Sequence, residues 1–382
     1  ALWNTCSSSS NLCTNMPFIG SCRQVNIANT KLGVLCNLDP FNSCSGYYEV
    51  PSDVSTELSV PSETPVCEVT PEWNCASSNG IFVKTSNCTI SGSHHIDVTS
   101  LLAIRGTNYD MDHLVTITAA SGHRHFYING YNAKLVLRYI KLVDGGTTSC
   151  CSSNVGGSIR IDSGGGELNL YSSILFNNKG YDGGAIYAYG DSNNRKKVKV
   201  NIYDSYLNNN VASSSQNGGS LYLYGSTVMI NNTIFDGDNV NSVANNAGYG
   251  GSMYISSSDV NIHNSNIINH KTTNRGGAMY ITSNSNVNIL RTIIKNNQVT
   301  TTSYYSSYGG GAINVNYQNS ITIRETSFIS NIASNNRGNE ILTYGSSAFI
   351  SIINTHFNNG NTDPNLFYES NGNAVWKTCS SA

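Results

Sequence analysis

From residue 156 onward the chain alternates apolar and polar positions in short bursts, and each burst follows a pair of glycines. The pairs begin at Gly156, Gly183, Gly218, Gly250, Gly276 and Gly310, with a degenerate "RGNE" copy at Gly338, in steps of 27, 35, 32, 26, 34 and 28 residues. After a small residue, one apolar column reads Ile159, Ile186, Leu221, Met253, Met279, Ile313, Ile341. Two residues on, a second reads Ile161, Ala188, Leu223, Ile255, Ile281, Val315, Thr343, and between them stand Arg160, Tyr187, Tyr222, Tyr254, Tyr280, Asn314 and Leu342. Period two with one apolar face predicts a half-buried strand.

A second strand follows in every copy. Its inward columns are Leu135, Leu168, Val200, Val228, Val260, Val287, Ile321, Ile350, and Leu137, Leu170, Ile202, Ile230, Ile262, Ile289, Ile323, Ile352. A small hydroxyl residue comes three positions later in seven of eight copies: Ser173, Ser205, Thr233, Ser265, Thr292, Thr326 and Thr355. Two further on is Leu142, Leu175, Leu207, Phe235, Ile267, Ile294, Phe328 or Phe357. Asn178, Asn210, Asn297 and Asn331 close the unit, with Asp238 and His270 replacing Asn in two copies.

Fixed walls joined by loops of variable length predict an all-β, single-stranded parallel β-helix, a solenoid with three short strands per coil. No coil buries its apolar face alone, so neighbouring coils must supply the core. The glycines answer a corner that needs positive φ or close backbone approach. The asparagines tolerate the left-handed conformation and can hydrogen-bond along the stack. An antiparallel sandwich would not hold eight columns in one register.

The repeat resembles the GGA[IL]…FxxN repeat of chlamydial polymorphic outer-membrane proteins, as also found in secreted algal and protist proteins. The matching stretches are "GGAI" (183–186), "GGAM" (276–279), "GGAI" (310–313) and "FISN" (328–331), with "LNNN" (207–210) and "IKNN" (294–297) as variants. The resemblance covers roughly residues 82–360 and implies a right-handed helix. It speaks to the scaffold, not to an activity.

Residues 1–80 carry no repeat and are Cys-, Ser- and Pro-rich, which predicts a disulfide-held cap over the first coil or an arm that reaches a neighbouring subunit. The stretches 87–98 and 115–130 look like early, less regular coils of a β-helix spanning 81–360. A C-terminal segment, 361–382, brings Phe367, Tyr368, Val375 and Trp376 to shield the last coil's edge. Loops before the glycine pairs (147–155, 211–217, 239–249, 298–308) are rich in Asn, Ser, Thr and Tyr, which suits a contact surface as well as plain solvated loops.

Composition narrows the setting. Charged residues are 12% of 382 and the net charge is −2, which argues against nucleic-acid binding; "NNRKK" (193–197) is the one dense basic run. No stretch reaches the roughly 20 apolar residues of a membrane-spanning helix. Eight of the eleven cysteines lie in the first 88 residues: Cys6, Cys13, Cys22, Cys36, Cys44, Cys67, Cys75 and Cys88, followed by Cys150, Cys151 and Cys379. None has metal-ligand spacing, so disulfides in an oxidising compartment are expected, with one thiol of the odd count free or bonded to another chain. The sequons at Asn87 and Asn231 suggest N-glycosylation and the absence of Met at Ala1 a removed signal peptide, so an extracellular or cell-surface location is expected.

Candidate chemistry is sparse. Glycoside hydrolysis needs two carboxylates roughly 5–9.5 Å apart across a cleft. The outward column of the second strand is read as Asn169, Lys199, Met229, Asn261, Asn288, Thr322 and Ser351, without an acid, and Asp162, Asp204, Asp236 and Glu325 fall in different columns. "DGD" (236–238), "NTD" (361–363) and "SGHRH" (121–125) lack partners, and His94, His95, His123 and His125 read as polar surface or early-coil residues. No cofactor or metal is expected. The candidate site is the outward row Tyr187, Tyr222, Tyr254 and Tyr280, which is either a structural ladder or a contact stripe for sugar or protein. The expected function is a non-catalytic, secreted structural protein that self-associates or joins other surface or matrix proteins, assembling at the cell surface or into an extracellular filament or appendage. A cell-surface adhesin or glycan-binding module is the first alternative, and a polysaccharide lyase or hydrolase the second.

Overall fold

The computed structural model describes strands Asn4–Thr5, Arg23–Ile27 and Lys31–Leu35, then residues 70–357 apart from 91–94, 148–153, 163–164, 191–196, 214–215, 238–246, 304 and 346–347, and strands Phe367–Ser370 and Val375–Cys379. Every strand from Gly80 on pairs in parallel, and three long sheets of 11, 10 and 10 strands run the length of the stack. Within a coil the chain visits sheet III (Ile159–Ile161), then sheet I (Glu167–Tyr171), then sheet II (Ile174–Phe176), and returns to sheet III one rung on (Ile186–Tyr189). This is the predicted parallel β-solenoid. Among the described residues, the one antiparallel sheet joins the three strands within residues 4–35.

The register reproduces the columns. In sheet III, Phe126, Ile159, Ile186, Leu221, Met253, Met279, Ile313 and Ile341 are successive partners. In sheet I the row runs Leu135, Leu168, Val200, Val228, Val260, Val287, Ile321, Ile350. In sheet II it runs Leu142, Leu175, Leu207, Phe235, Ile267, Ile294, Phe328, Phe357. Nearly all of these side chains are completely buried in one continuous core, each contributing roughly 1.5–3 kcal/mol of transfer free energy. Trp73 closes one end of that core, its ring 6.0 Å from Phe126. At the other end Phe328, Phe357 and Phe367 follow one another at 5.1 and 5.2 Å.

The corners explain the polar columns. At the glycine corner the two residues answer different demands. Gly276 has φ +63, and its missing Cβ would run into the carbonyl oxygen of Met279 in its own coil. Gly277 has no such φ; its Cβ would strike the carbonyl oxygen of Gly311 in the next coil. Between sheets I and II each hydroxyl donates to the carbonyl two residues back, as Ser205 does to Tyr203 at 2.7 Å, and Ser173, Ser205, Ser265 and Thr326 also accept an amide from the coil before, as Ser205 does from Ser173 N at 3.2 Å. Between sheets III and I, Ser226, Ser258 and Ser285 form a similar ladder that ends on Asn319.

The asparagine corner differs from expectation. Left-handed backbone belongs to the residue before each named asparagine: Asn177, Asn209, Asn296 and Ser330, like Asn269 before His270, have φ between +52 and +62. The named ones are buried and bridge coils instead. Asn297 Nδ2 donates to Asn331 Oδ1 at 2.9 Å and to Ile267 O at 3.0 Å, while its Oδ1 accepts from His270 N at 3.0 Å. Asn178 and Asn210 make the same amide-to-amide contact at 2.9 Å. Asp238 lies outside the described residues.

Parts of the expected loops are strands. Lys179–Gly180 and Val211–Ala212 pair in parallel, and Ala247–Tyr249, Lys271–Arg275, Gln298–Val299 and Ile332–Ala333 form a four-stranded parallel sheet along the same edge. Phe367–Ser370 and Val375–Cys379 continue sheets III and I in register, Ile341 facing Phe367 and Ile350 facing Trp376. They add a rung, where a shielding segment was expected.

Candidate functional site

Sheet III's strands project one side chain of each apolar–polar–apolar triplet outward, and parallel register sets equivalent side chains side by side. The outward row is Tyr127, Arg160, Tyr187, Tyr222, Tyr254, Tyr280, Asn314 and Leu342. The structure thus brings the four predicted tyrosines together and adds Tyr127, which precedes the first glycine pair and was missed for that reason.

The rings stack on each other. Tyr187 and Tyr222 have centroids 4.7 Å apart and planes 14° from parallel; Tyr222 and Tyr254 are 4.8 Å and 3°. Tyr254 and Tyr280 are looser, at 5.5 Å and 40°. A ring face that lies on a neighbouring ring is not available to a sugar, and Tyr280, expected to face outward, is buried with its Oη accepting from Arg275 Nη1 and Asn316 Nδ2, so the stripe comes down to the half-buried edges of Tyr187, Tyr222 and Tyr254. Burial pushes the Tyr187 and Tyr222 phenols far above the ordinary range and Tyr254 up to about 12, so all three stay protonated and uncharged. Two residues on, Tyr189 and Tyr224 form a second stack at 4.7 Å and 10°, and the alternation of "AIYAYG" and "SLYLYG" carried that signal.

Charged groups flank both ends of the ladder. Towards the N-terminal end, Asp162 accepts from Tyr127 Oη at 2.6 Å and is held by Arg160, Nη2 to Oδ2 at 2.8 Å. The Arg160 guanidinium lies 5.1 Å from the Tyr127 ring centroid. Burial, and then the nearby Arg160 charge, lower the pKa of Arg124 to about 10, which leaves it cationic at neutral pH. Towards the other end, Arg275 sits against Tyr249 and Tyr308 at 4.9 and 5.5 Å and donates to Tyr280 Oη at 3.0 Å and Ser307 Oγ at 2.8 Å. Asn314 and Leu342, expected to face solvent, are completely buried. Asn314 Nδ2 donates to Ser307 O and Gly309 O at 3.1 and 3.0 Å, so the segment before the glycine pair folds over the sheet's outer face there.

The acids stand apart. Asp204 accepts from Asn232 Nδ2 at 2.7 Å, Asp236 from Asn269 Nδ2 at 2.9 Å, and Glu325 from Arg291 Nε at 3.0 Å. Lys199 was misplaced by one pleat: it faces Glu167 and Thr227, and the column in question holds Asn201 between Asn169 and Met229. With that correction, no registered pair of strand partners among the described residues sets two carboxylates opposite each other, and no group of three or more His, Cys, Asp or Glu is placed to hold a metal. His125 is not a surface residue: it is fully buried, Nε2 3.0 Å from Ile117 O and Nδ1 3.1 Å from Ser158 Oγ. His94 and 361–363 lie outside the described residues.

Cys75 and Cys88 form a disulfide with Cα atoms 6.5 Å apart, tying the start of the solenoid together beside Trp73. Cys6, Cys13, Cys22, Cys36, Cys44, Cys67, Cys150 and Cys151 lie outside the described residues, and Cys379 ends the last strand. Asn87 is exposed, with its Oδ1 accepting from Thr116 N at 2.8 Å. Asn231 is half-buried at a strand end and accepts from Asn264 Nδ2 at 2.9 Å.

Comparison with known proteins finds no family model, no curated protein and no solved structure that matches this chain. The likeness to the chlamydial repeat therefore rests on the short motifs alone.

Proposed function

We propose that this chain is a non-catalytic, secreted structural protein that assembles at a cell surface or into an extracellular filament or appendage. The observation that supports this reading most is the state of the outward side chains. Tyrosine faces are occupied by tyrosine faces, asparagine amides by asparagine amides, and the Asp204, Asp236 and Glu325 carboxylates by local donors. Such a surface stiffens a rod and leaves its edges and ends for contact. Self-association, or association with other matrix proteins, would run through the N-terminal segment, the Cys379 end and the edge where the loops emerge.

Negative-stain images of protein purified without reductant test this: end-to-end or lateral assemblies that grow with concentration are expected. Monodisperse monomers at high concentration, with every thiol paired within the chain, would overturn it.

A glycan-binding adhesin is the second reading, supported by the hydroxyl edges of the stripe and by the Arg124 and Arg160 cations beside it. Glycan-array binding that disappears in Tyr222→Ala/Tyr254→Ala would favour it over the structural role. Release of unsaturated or reducing ends from polyuronates, abolished by one acid-to-amide change, would instead establish a lyase or hydrolase.

A further inference from the structure

Tyr189 and Tyr224 are direct partners on adjacent strands of sheet III, with ring centroids 4.7 Å apart and planes within 10° of parallel. Tyr189 is 39% exposed, whereas Tyr222 and Tyr254 in the neighbouring row are largely enclosed. Tyr187 links the two rows, its ring parallel to Tyr189 at 6.1 Å. In side chains that point outward, the two ring carbons flanking each hydroxyl lie at the outer tip. Parallel strand register therefore holds the carbons of one phenol beside those of the next, which is the proximity that radical coupling requires.

We propose that Tyr189 and Tyr224 are a site of oxidative modification, at which a peroxidase using hydrogen peroxide joins the two rings as dityrosine. Each phenol gives up one electron and its hydroxyl proton, and the peroxide takes up both electrons and both protons to become two waters. The two neutral radicals combine through one carbon next to each hydroxyl, forming a carbon–carbon bond. Each of those carbons then loses its hydrogen as a proton while its oxygen regains one, so the product keeps both hydroxyls and is two hydrogens lighter than the separate rings. Solvent access singles out Tyr189 as the ring oxidised first, because the phenol proton needs water to receive it and burial raises the pKa of Tyr187, Tyr222 and Tyr254; the half-buried Tyr224 is its in-register partner at 4.7 Å. The bond would staple two consecutive coils covalently without a disulfide, a fitting device for a rod exposed to mechanical load or to reductants.

The test uses the full chain at low concentration with a haem peroxidase and hydrogen peroxide, followed by proteolysis and mass spectrometry. The expected product is a peptide pair linking Tyr189 to Tyr224, two hydrogens lighter than its parts, with the fluorescence of dityrosine. Tyr189→Phe and Tyr224→Phe preserve the stacked rings and should each abolish that linked pair while leaving the melting temperature of the untreated protein unchanged. Recovery of Tyr189 and Tyr224 unlinked, after the exposed Tyr131, Tyr305 and Tyr317 have been oxidised, would overturn the proposal. So would linkage of Tyr189 only to a tyrosine of a second chain.

Discussion

A methyl group on Gly277 is the smallest change that the coil stack resists, because it would be driven into the backbone of the next coil at Gly311. Gly277→Ala should cost about 3 kcal/mol, the upper part of the overpacking range, in a denaturant titration. Asn297→Ala fails by the opposite route: it leaves His270 N buried without its partner, at about 1–3 kcal/mol, and removes the side-chain donor from the Ile267 carbonyl. His270 itself breaks the asparagine ladder. Its ring is fully enclosed, and burial, opposed only weakly by Asp236 and the Phe235 and Gly251 carbonyls, lowers its pKa from 6.5 to about 4; burial does the same to His125. The unfolded chain takes up protons below pH 6.5 that these folded imidazoles refuse until about pH 4. Stability from both groups is therefore complete above pH 6.5 and is lost as pH falls towards 4, by about 3 kcal/mol each at 1.36 kcal/mol per pKa unit. Unfolding measured at pH 7, 5.5 and 4 checks this, and His270→Asn should remove its own share of the acid sensitivity.

Among the elements, sheet III's outer row shows how far sequence pattern reaches. Apolar columns were legible because parallel stacking forces equivalent positions into identical environments, so Leu221, Met253 and Met279 could be aligned by offset from a glycine pair alone. Asn201 stands between Val200 and Ile202 as Asn169 stands between Leu168 and Leu170, so its place in the outward column follows from the same alternation, and Lys199 belongs one pleat earlier, opposite Glu167. Burial of Asn314 and Leu342 was illegible because it depends on where the segment around Ser307 and Gly309 folds, and no alternation records that. Of the short strands beside the glycine corner, Lys179–Gly180, Val211–Ala212, Gln298–Val299 and Ile332–Ala333 were hidden because two residues carry no period, and Lys271–Arg275 because "KTTNR" holds no apolar residue. For the tyrosine row, Tyr222→Ala removes two ring contacts at roughly 0.2–1 kcal/mol each in addition to ordinary side-chain burial, while Tyr222→Phe keeps both. Thermal melts should therefore separate the two variants, with Phe close to the parent. Equal losses in both would mean that the hydroxyl edge, not the stack, carries the role.

For the whole molecule, the parallel ladder runs from the bridge at Glu72 to the strand ending at Cys379, and stability should be a sum over neighbouring coils. Reduction of Cys75–Cys88 would then loosen the first coils around Trp73 and leave amide exchange in the central rungs unchanged. The account depends most on coils that succeed one another in a single direction. Lys199, Asn286 and Ser320 are exposed members of one outward column of sheet I, connected through Thr227 and Asp259. Spin labels on genetically encoded side chains, which spare the native cysteines, can measure their separations by dipolar spectroscopy. At about 4.8 Å per rung the backbone distances are ~14 Å from Lys199 to Asn286 and ~19 Å from Lys199 to Ser320, growing with rung number whatever the loop length. Separations that do not increase in that order, or that follow residue count instead of rung count, would contradict the stacked parallel coil.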